Sequence, residues 1–178
     1  MQFRPEVAVL HRVARPARAL FSLILILAAI SSARAQAQDP LLKMRAEYVA
    51  ETDPVDKAKI LARLGSREMA AVRDLLNEGN DEQALSALEK YRDAVRDTTK
   101  VLSSLGINAA RRPSGFKELQ ISLRVSVRRL EDLILSLQQD LRPSFRAVRS
   151  DLESAESTLI DRLFPAPEPP RSRSASSQ

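Results

Sequence analysis

Apolar side chains recur at every third or fourth position along most of this chain, which is the spacing of the buried face of a helix. From residue 40 to residue 164 the pattern predicts helices separated by short breaks. No stretch alternates apolar and polar residues over a useful length, so no strands are expected. The first helix is predicted from about Pro40 to Glu51, with three larger side chains on one face: Leu41, Met44 and Tyr48.

A second helical stretch is predicted between Asp53 and Gly79. Asp53 can accept hydrogen bonds from the first helical N–H groups, and Pro54 suits the first helical position. Gly79 is typical of the residue that follows a helix, because glycine adopts the left-handed conformation without steric cost. The dipeptide Gly65-Ser66 is a candidate break that would divide this stretch into two helices.

The next helix is predicted to start at Asn80, with Gln83 at the spacing of a capping box, and to run to a break at residues 106–115. The longest helix follows, from Phe116 to about Leu141, and its broad apolar stripe is typical of a core-facing bundle helix. Pro143 stops or kinks it. A last helix carries apolar side chains at heptad spacing: Phe145, Val148, Leu152, Ala155 and Leu159.

These elements predict an all-α fold, with a single bundle of four to five amphipathic helices over residues 36–164. A chain of this length can form one domain with its own hydrophobic core. After Phe164 the composition shifts to proline, serine and arginine, so we expect residues 165–178 to form a disordered tail.

The first 35 residues have the three parts of an export signal. A basic segment precedes a twelve-residue apolar run from Ala19 to Ile30, which is shorter than the roughly 20 residues that a membrane-spanning helix needs. Ala33 and Ala35 then supply the small residues that a signal peptidase accepts. We predict a signal peptide over residues 1–35 and a mature chain that starts at Gln36, with cleavage after Ala37 or retention of the leader as alternatives.

The net charge of +5 belongs mostly to this leader. Residues 1–35 contain five Arg and one Glu, which leaves 23 basic and 22 acidic side chains in the rest of the chain. A net charge of +1 lacks the basic excess that nucleic-acid binding usually requires. We therefore expect no nucleic-acid partner.

The residue types that carry most protein chemistry are missing after the leader. The chain has no cysteine, and its one histidine, His11, lies in the leader. Zinc sites rely mostly on His and Cys, and nucleophilic catalysis usually needs a base such as His. We therefore expect no enzymatic activity, no metal site and no cofactor.

The N-terminal helical half of the chain contains four short motifs: Asp39-Pro40-Leu41-Leu42-Lys43, Asp53-Pro54-x-x-Lys57-Ala58, Leu76-x-x-Gly79 and Ala84-Leu85-x-x-Leu88-x-x-Tyr91. Through these motifs, residues 39–100 resemble a bacterial family of exported or membrane-tethered helical domains of unknown function. The resemblance implies a helical domain of the cell envelope and no named activity.

Basic residues are concentrated in one segment of the chain. Residues 111–149 have a net charge of +5, whereas residues 39–100 and 150–164 have net charges of −2 and −3. One interpretation is a patch for anionic lipid head groups or an acidic partner. The alternative, which we favour, is that the acidic helices of the same bundle neutralise the segment. The candidate patch consists of Arg124, Arg128, Arg129, Arg142, Arg146 and Arg149.

The leader, the amphipathic helices and the missing catalytic residues predict an exported, periplasmic or secreted interaction module of a bacterial cell envelope. Its expected partner is another envelope protein, and self-association is left open. One alternative is a membrane-associated protein, held by an uncleaved leader or by the basic residues 116–149 on anionic lipid. Another is a periplasmic chaperone or stress sensor built on a helical hairpin.

Overall fold

The computed structural model describes residues 40–166, which form five helices and no strand. We label them α1 (residues 40–50), α2 (Pro54–Asn77), α3 (Asp81–Ser104), α4 (Phe116–Ser136) and α5 (Arg142–Leu163). The predicted all-α helical bundle is confirmed. The predicted signal peptide, its cleavage residues Ala33, Ala35 and Gln36, and most of the predicted tail lie outside the described residues.

The four long helices form two antiparallel hairpins, α2–α3 and α4–α5, that pack side by side. Helix α2 packs against α3 and α4, and α5 packs against the same two helices, so α3 and α4 occupy a diagonal. Ser122 of α4 donates a 2.7 Å hydrogen bond to the carbonyl of Ala62, and Arg129 bonds to that of Ser66 further along α2. Because both residue numbers increase together, α2 and α4 run parallel.

All four long helices contribute to one hydrophobic core. The largest fully buried side chains include Phe116 of α4 and Phe145 of α5. Each fully buried leucine or phenylalanine stabilises the fold by roughly 1.5–3 kcal/mol relative to an exposed one. Aliphatic residues from each helix complete the core, among them Leu61, Val72, Leu88, Val95, Leu123, Leu130, Leu152 and Leu159.

The connection between α3 and α4 crosses one end of the bundle diagonally, and its residue Ala109 is buried. It ends at Gly115, whose φ is +81°. A Cβ at this position would lie 3.0 Å from both the Cγ1 and the carbonyl oxygen of Val55. Only glycine fits this turn, and it brings the first turn of α4 against the first turn of α2.

The predicted start and end of α2 are confirmed, whereas the predicted break within it is wrong. Asp53 Oδ1 accepts hydrogen bonds from the N–H groups of Val55 and Asp56, both at 2.9 Å. Gly79 has a φ of +75° and follows the helix end. The helix continues through Gly65-Ser66, because Gly65 lies where another helix approaches and is used for close packing.

Two further expectations differ from the structure. Asn80 precedes α3 as predicted, but its side chain makes no capping bond to the helix and its Nδ2 donates to Glu78 instead. The helix that starts at Phe116 is predicted to be the longest and to reach Leu141. However, α4 ends at Ser136, and its 21 residues make it shorter than α2 and α3, which have 24 each. Pro143 lies in the first turn of α5, which begins at Arg142, so proline starts a helix here.

Over residues 40–166, none of the helices combines the length and the apolar character that a bilayer crossing requires.

Candidate functional site

A groove of about 820 Å³ lies on the surface between α1, α2 and the first half of α4, and we call it the α1–α2–α4 groove. Two aliphatic side chains of α4 form one wall: Ile121 is 50% exposed and Val125 is 43% exposed. Ile60 and Ala62 of α2 lie at the base. Since Ile121 and Val125 are four residues apart on a helix, they form a continuous apolar strip that faces solvent.

Charged side chains surround this strip. Four carboxylates line the groove, namely Glu47, Glu51, Asp56 and Glu118. The groove has two cationic side chains, Lys59 and Arg63, and each is paired with one of these carboxylates. The lining therefore has a net negative charge.

Close packing of α2 on α4 positions the base of the groove. Gly65 lies at the contact, and a Cβ there would lie 2.5 Å from the hydroxyl of Tyr91 and 2.8 Å from Oγ of Ser122. Tyr91 is buried and makes a 3.4 Å hydrogen bond with Ser126. Because burial disfavours the phenolate, the pKa of Tyr91 is raised to about 12. Ser122 and Ser126 also line the groove, so the buried hydroxyls connect its base to the core.

Helix α1 supplies the remaining wall and is held to the bundle by polar contacts. Arg45 binds the buried Glu68 of α2 through two hydrogen bonds, which raise the pKa of Arg45. The hydroxyl of Tyr48 lies 3.0 Å from Thr98 of α3, and Lys57 lies over the Tyr48 ring at 4.9 Å from its centroid. These contacts place Glu47 and Glu51 at the edge of the groove.

A second, smaller groove of about 490 Å³ lies further along α2 and α4. Its lining combines Met69 and Leu133 with three charged side chains: Arg73, Arg129 and Asp132. The two exposed aliphatic side chains that distinguish the α1–α2–α4 groove are missing from this lining, which makes it the weaker candidate for a binding surface.

The structure distributes the six arginines of the predicted patch over different surroundings. Arg124 donates to Glu156 at 3.1 Å. Arg149 pairs with Glu153 of its own helix and with Glu131 of α4. Carboxylates of the same bundle therefore compensate two of the six guanidinium groups.

The other four arginines also differ from one another. Arg142 donates to the carbonyls of Leu137 and Leu135 at the end of α4. Arg129 donates to the carbonyl of Ser66 on α2, whereas Arg124 faces α5. Arg128 and Arg146 are exposed. The patch for anionic lipid or an acidic partner stays a prediction.

Helical periodicity did not indicate the α1–α2–α4 groove. Ile121 and Val125 lie outside the predicted apolar stripe of α4. Two aliphatic residues one turn apart on the polar side of a helix were the one sequence feature that could have indicated the groove. The carboxylates around them are far apart in sequence, from Glu47 to Glu118, so no local pattern joins them.

No family model, no curated protein and no solved structure matches this chain. The resemblance of residues 39–100 to exported or membrane-tethered helical domains stays a prediction.

Proposed function

We propose that this protein is an exported, non-enzymatic helical module of a bacterial cell envelope that binds another protein through the α1–α2–α4 groove. The observation that carries the proposal is the solvent-facing pair Ile121 and Val125 on the wall of a groove of about 820 Å³. Exposed aliphatic side chains gathered in a polar-edged groove are typical of protein-binding surfaces.

The sequence supports the rest of the proposal. The basic and apolar leader with Ala33 and Ala35 favours export. The absence of cysteine, and of histidine after His11, favours binding over catalysis. Export can be tested directly. The intact mass of the protein isolated from its own cells should correspond to a chain that starts at Gln36.

Site-specific photocrosslinking in the native cell tests the binding surface. A photoreactive amino acid at Val125 should crosslink one envelope protein, whereas the same group at Leu135 should not. Leu135 is a matched control because it is also an exposed aliphatic residue of α4, 71% exposed, and does not line the groove.

The crosslinked protein should then bind the purified chain directly. We expect Val125→Asp to weaken this binding by at least about tenfold, because a buried, unpaired carboxylate costs about 1–3 kcal/mol or more. Leu135→Asp should leave the affinity within about twofold. Equal crosslinking from both positions, or equal affinity of both variants, would refute the groove as the binding surface.

A further inference from the structure

We infer that the segment of the partner that enters the α1–α2–α4 groove is an amphipathic helix with a net positive charge; this rests on the proposed function. Its apolar side chains would cover Ile121 and Val125, and its Lys or Arg side chains would face Glu51 and Glu118. The charge of the lining and the architecture of its walls lead to this occupant.

Two of the four carboxylates of the groove form no ion pair within residues 40–166. Lys59 lies 2.8 Å from Asp56, and Arg63 lies 2.8 Å from Glu47, so both lining cations are already paired. A hydrogen bond to Asp56, together with the nearby charge of Glu118, raises the pKa of Lys59.

The other two carboxylates bind backbone N–H groups. Glu51 accepts from the N–H groups of Thr52 and Asp53, and Glu118 accepts from that of Gly115. In the part of the chain that the structure describes, neither forms an ion pair with a Lys or Arg. A cationic ligand would therefore meet two negative charges without displacing an existing pair.

The walls of the groove favour a helix over an extended peptide. Apart from Glu51, which directly follows α1, they are built from helices, and the described residues contain no strand edge that could pair with the backbone of an extended segment. A helix satisfies its own backbone N–H and C=O groups and needs only side-chain contacts.

The length of the groove sets the length of the contact. Its walls run from Asp56 to Ser66 on α2 and from Glu118 to Ser126 on α4. At about 1.5 Å per residue these stretches are roughly 12–15 Å long, which corresponds to two to three turns of a bound helix. Two apolar residues at i and i+4 of that helix would match the spacing of Ile121 and Val125.

Fluorescence anisotropy with four labelled model peptides tests this inference. The protein is expressed as the full chain, including its leader, and is purified in the form that the cell produces. The first is an amphipathic Leu/Lys helix. The second replaces each Lys by Glu, the third replaces each Leu by Ser, and the fourth carries a central proline that prevents a continuous helix. We expect the Leu/Lys peptide to bind at least about tenfold more tightly than the other three.

Charge-neutral variants locate the binding. Glu51→Gln with Glu118→Gln keeps the side-chain oxygens that accept from backbone N–H groups and removes both charges. We expect the affinity for the Leu/Lys peptide to fall about threefold to tenfold at low salt, and less at high salt. The control is Glu82→Gln with Glu89→Gln on α3, outside the groove, which should change the affinity less than twofold.

Each failure has a distinct meaning. If the Leu/Glu or proline peptide binds as tightly as the Leu/Lys peptide, or if Glu51→Gln with Glu118→Gln has no effect, the inference is wrong. The crosslink at Val125 would still decide the proposed function by itself. If neither Leu-containing helix binds and Val125 crosslinks nothing, both are wrong.

Two other occupants would also overturn the inference. Light scattering that shows a dimer, lost in Val125→Asp and kept in Leu135→Asp, would assign the groove to a second copy of this chain. If the double substitution Arg171→Glu with Arg173→Glu raises the affinity for the peptide tenfold or more, the groove is occupied by the basic C-terminal residues of the same chain.

Discussion

Arg45 of α1 forms a bidentate ion pair with Glu68 of α2: its Nε lies 2.6 Å from Oε1 and its Nη2 lies 2.5 Å from Oε2. Glu68 is only 3% exposed, so its carboxylate depends on this partner. The Arg45 side chain is 41% exposed, so the pair is only partly buried, and loss of Arg45 should cost less than the about 3–5 kcal/mol of a fully buried pair. The pair therefore links α1, and with it one wall of the α1–α2–α4 groove, to the bundle.

We predict that Arg45→Ala destabilises the docking of α1 by about 1–3 kcal/mol. The amide protons of residues 40–50 should then exchange with solvent about fivefold to 100-fold faster, which hydrogen exchange with mass spectrometry measures. Arg45→Leu combined with Glu68→Leu should restore most of the protection, because an apolar pair leaves no buried charge. Unchanged exchange in Arg45→Ala would show that the pair does not hold α1.

Gly65 should not tolerate alanine, although alanine normally stabilises a helix interior by about 0.5–1 kcal/mol relative to glycine. The new Cβ would lie 2.5 Å from the hydroxyl of Tyr91 and 2.8 Å from Oγ of Ser122. We expect Gly65→Ala to lower the free energy of unfolding by about 1–3 kcal/mol, measured by urea denaturation.

A double-mutant cycle gives the control for this prediction. Tyr91→Phe removes the nearest atom, so Gly65→Ala should cost at least about 1 kcal/mol less in the Tyr91→Phe background. Equal costs in both backgrounds would mean that contact with the Tyr91 hydroxyl is not the cause.

The protein should lose stability at high pH because of Tyr91. Burial raises the pKa of Tyr91 from 10.0 to about 12, so the folded state retains the phenol proton more strongly than the unfolded state does. The resulting contribution is complete below pH 10.0 and is lost as the pH rises toward 12. It corresponds to about 2–3 kcal/mol.

Urea denaturation of the parent and of Tyr91→Phe at several pH values measures this effect. The free energy of unfolding of the parent should fall by about 2 kcal/mol more than that of the variant between pH 10.0 and pH 12. The other titrating groups are the same in both proteins, so parallel curves would contradict the assignment to Tyr91.

Leu130 lies at the centre of the core stripe of α4 and is fully buried. Leu130→Ala should lower the free energy of unfolding by about 2–5 kcal/mol, since it removes buried methyl groups and leaves a cavity. Leu135 is the matched control on the same helix: it is 71% exposed, and Leu135→Ala should change stability by less than about 0.5 kcal/mol. Similar costs at the two positions, measured by thermal or urea unfolding, would show that the buried face is misplaced.

Helix ends were predictable where a local side-chain signal marks them. Asp53 binds N–H groups two and three residues ahead, and Gly79 needs only its own positive φ, so both ends of α2 follow from neighbouring residues. The end of α4 depends on a more distant group. Arg142 donates to the carbonyls of Leu137 and Leu135, five and seven residues earlier, and no local capping rule predicts that contact.

The break expected at Gly65 shows why a glycine is ambiguous in a sequence. Glycine weakens a helix, and it also permits another helix to approach closely. Whether a glycine ends a helix or serves as a packing contact depends on which side chains lie opposite it in the folded protein. Here Tyr91 and Ser122 are opposite, from 26 and 57 residues further along the chain.

The sequence by itself determined the helical class and the core faces, because amphipathic periodicity and end signals act over a few residues. Only the tertiary structure decided which helices are neighbours and which apolar residues stay exposed. The parallel pairing of α2 with α4 brings Ile121 and Val125 of α4 beside Asp56 and Lys59 of α2. That groove depends on how separate helices pack, and the periodicity of one helix contains no information about the surface of another.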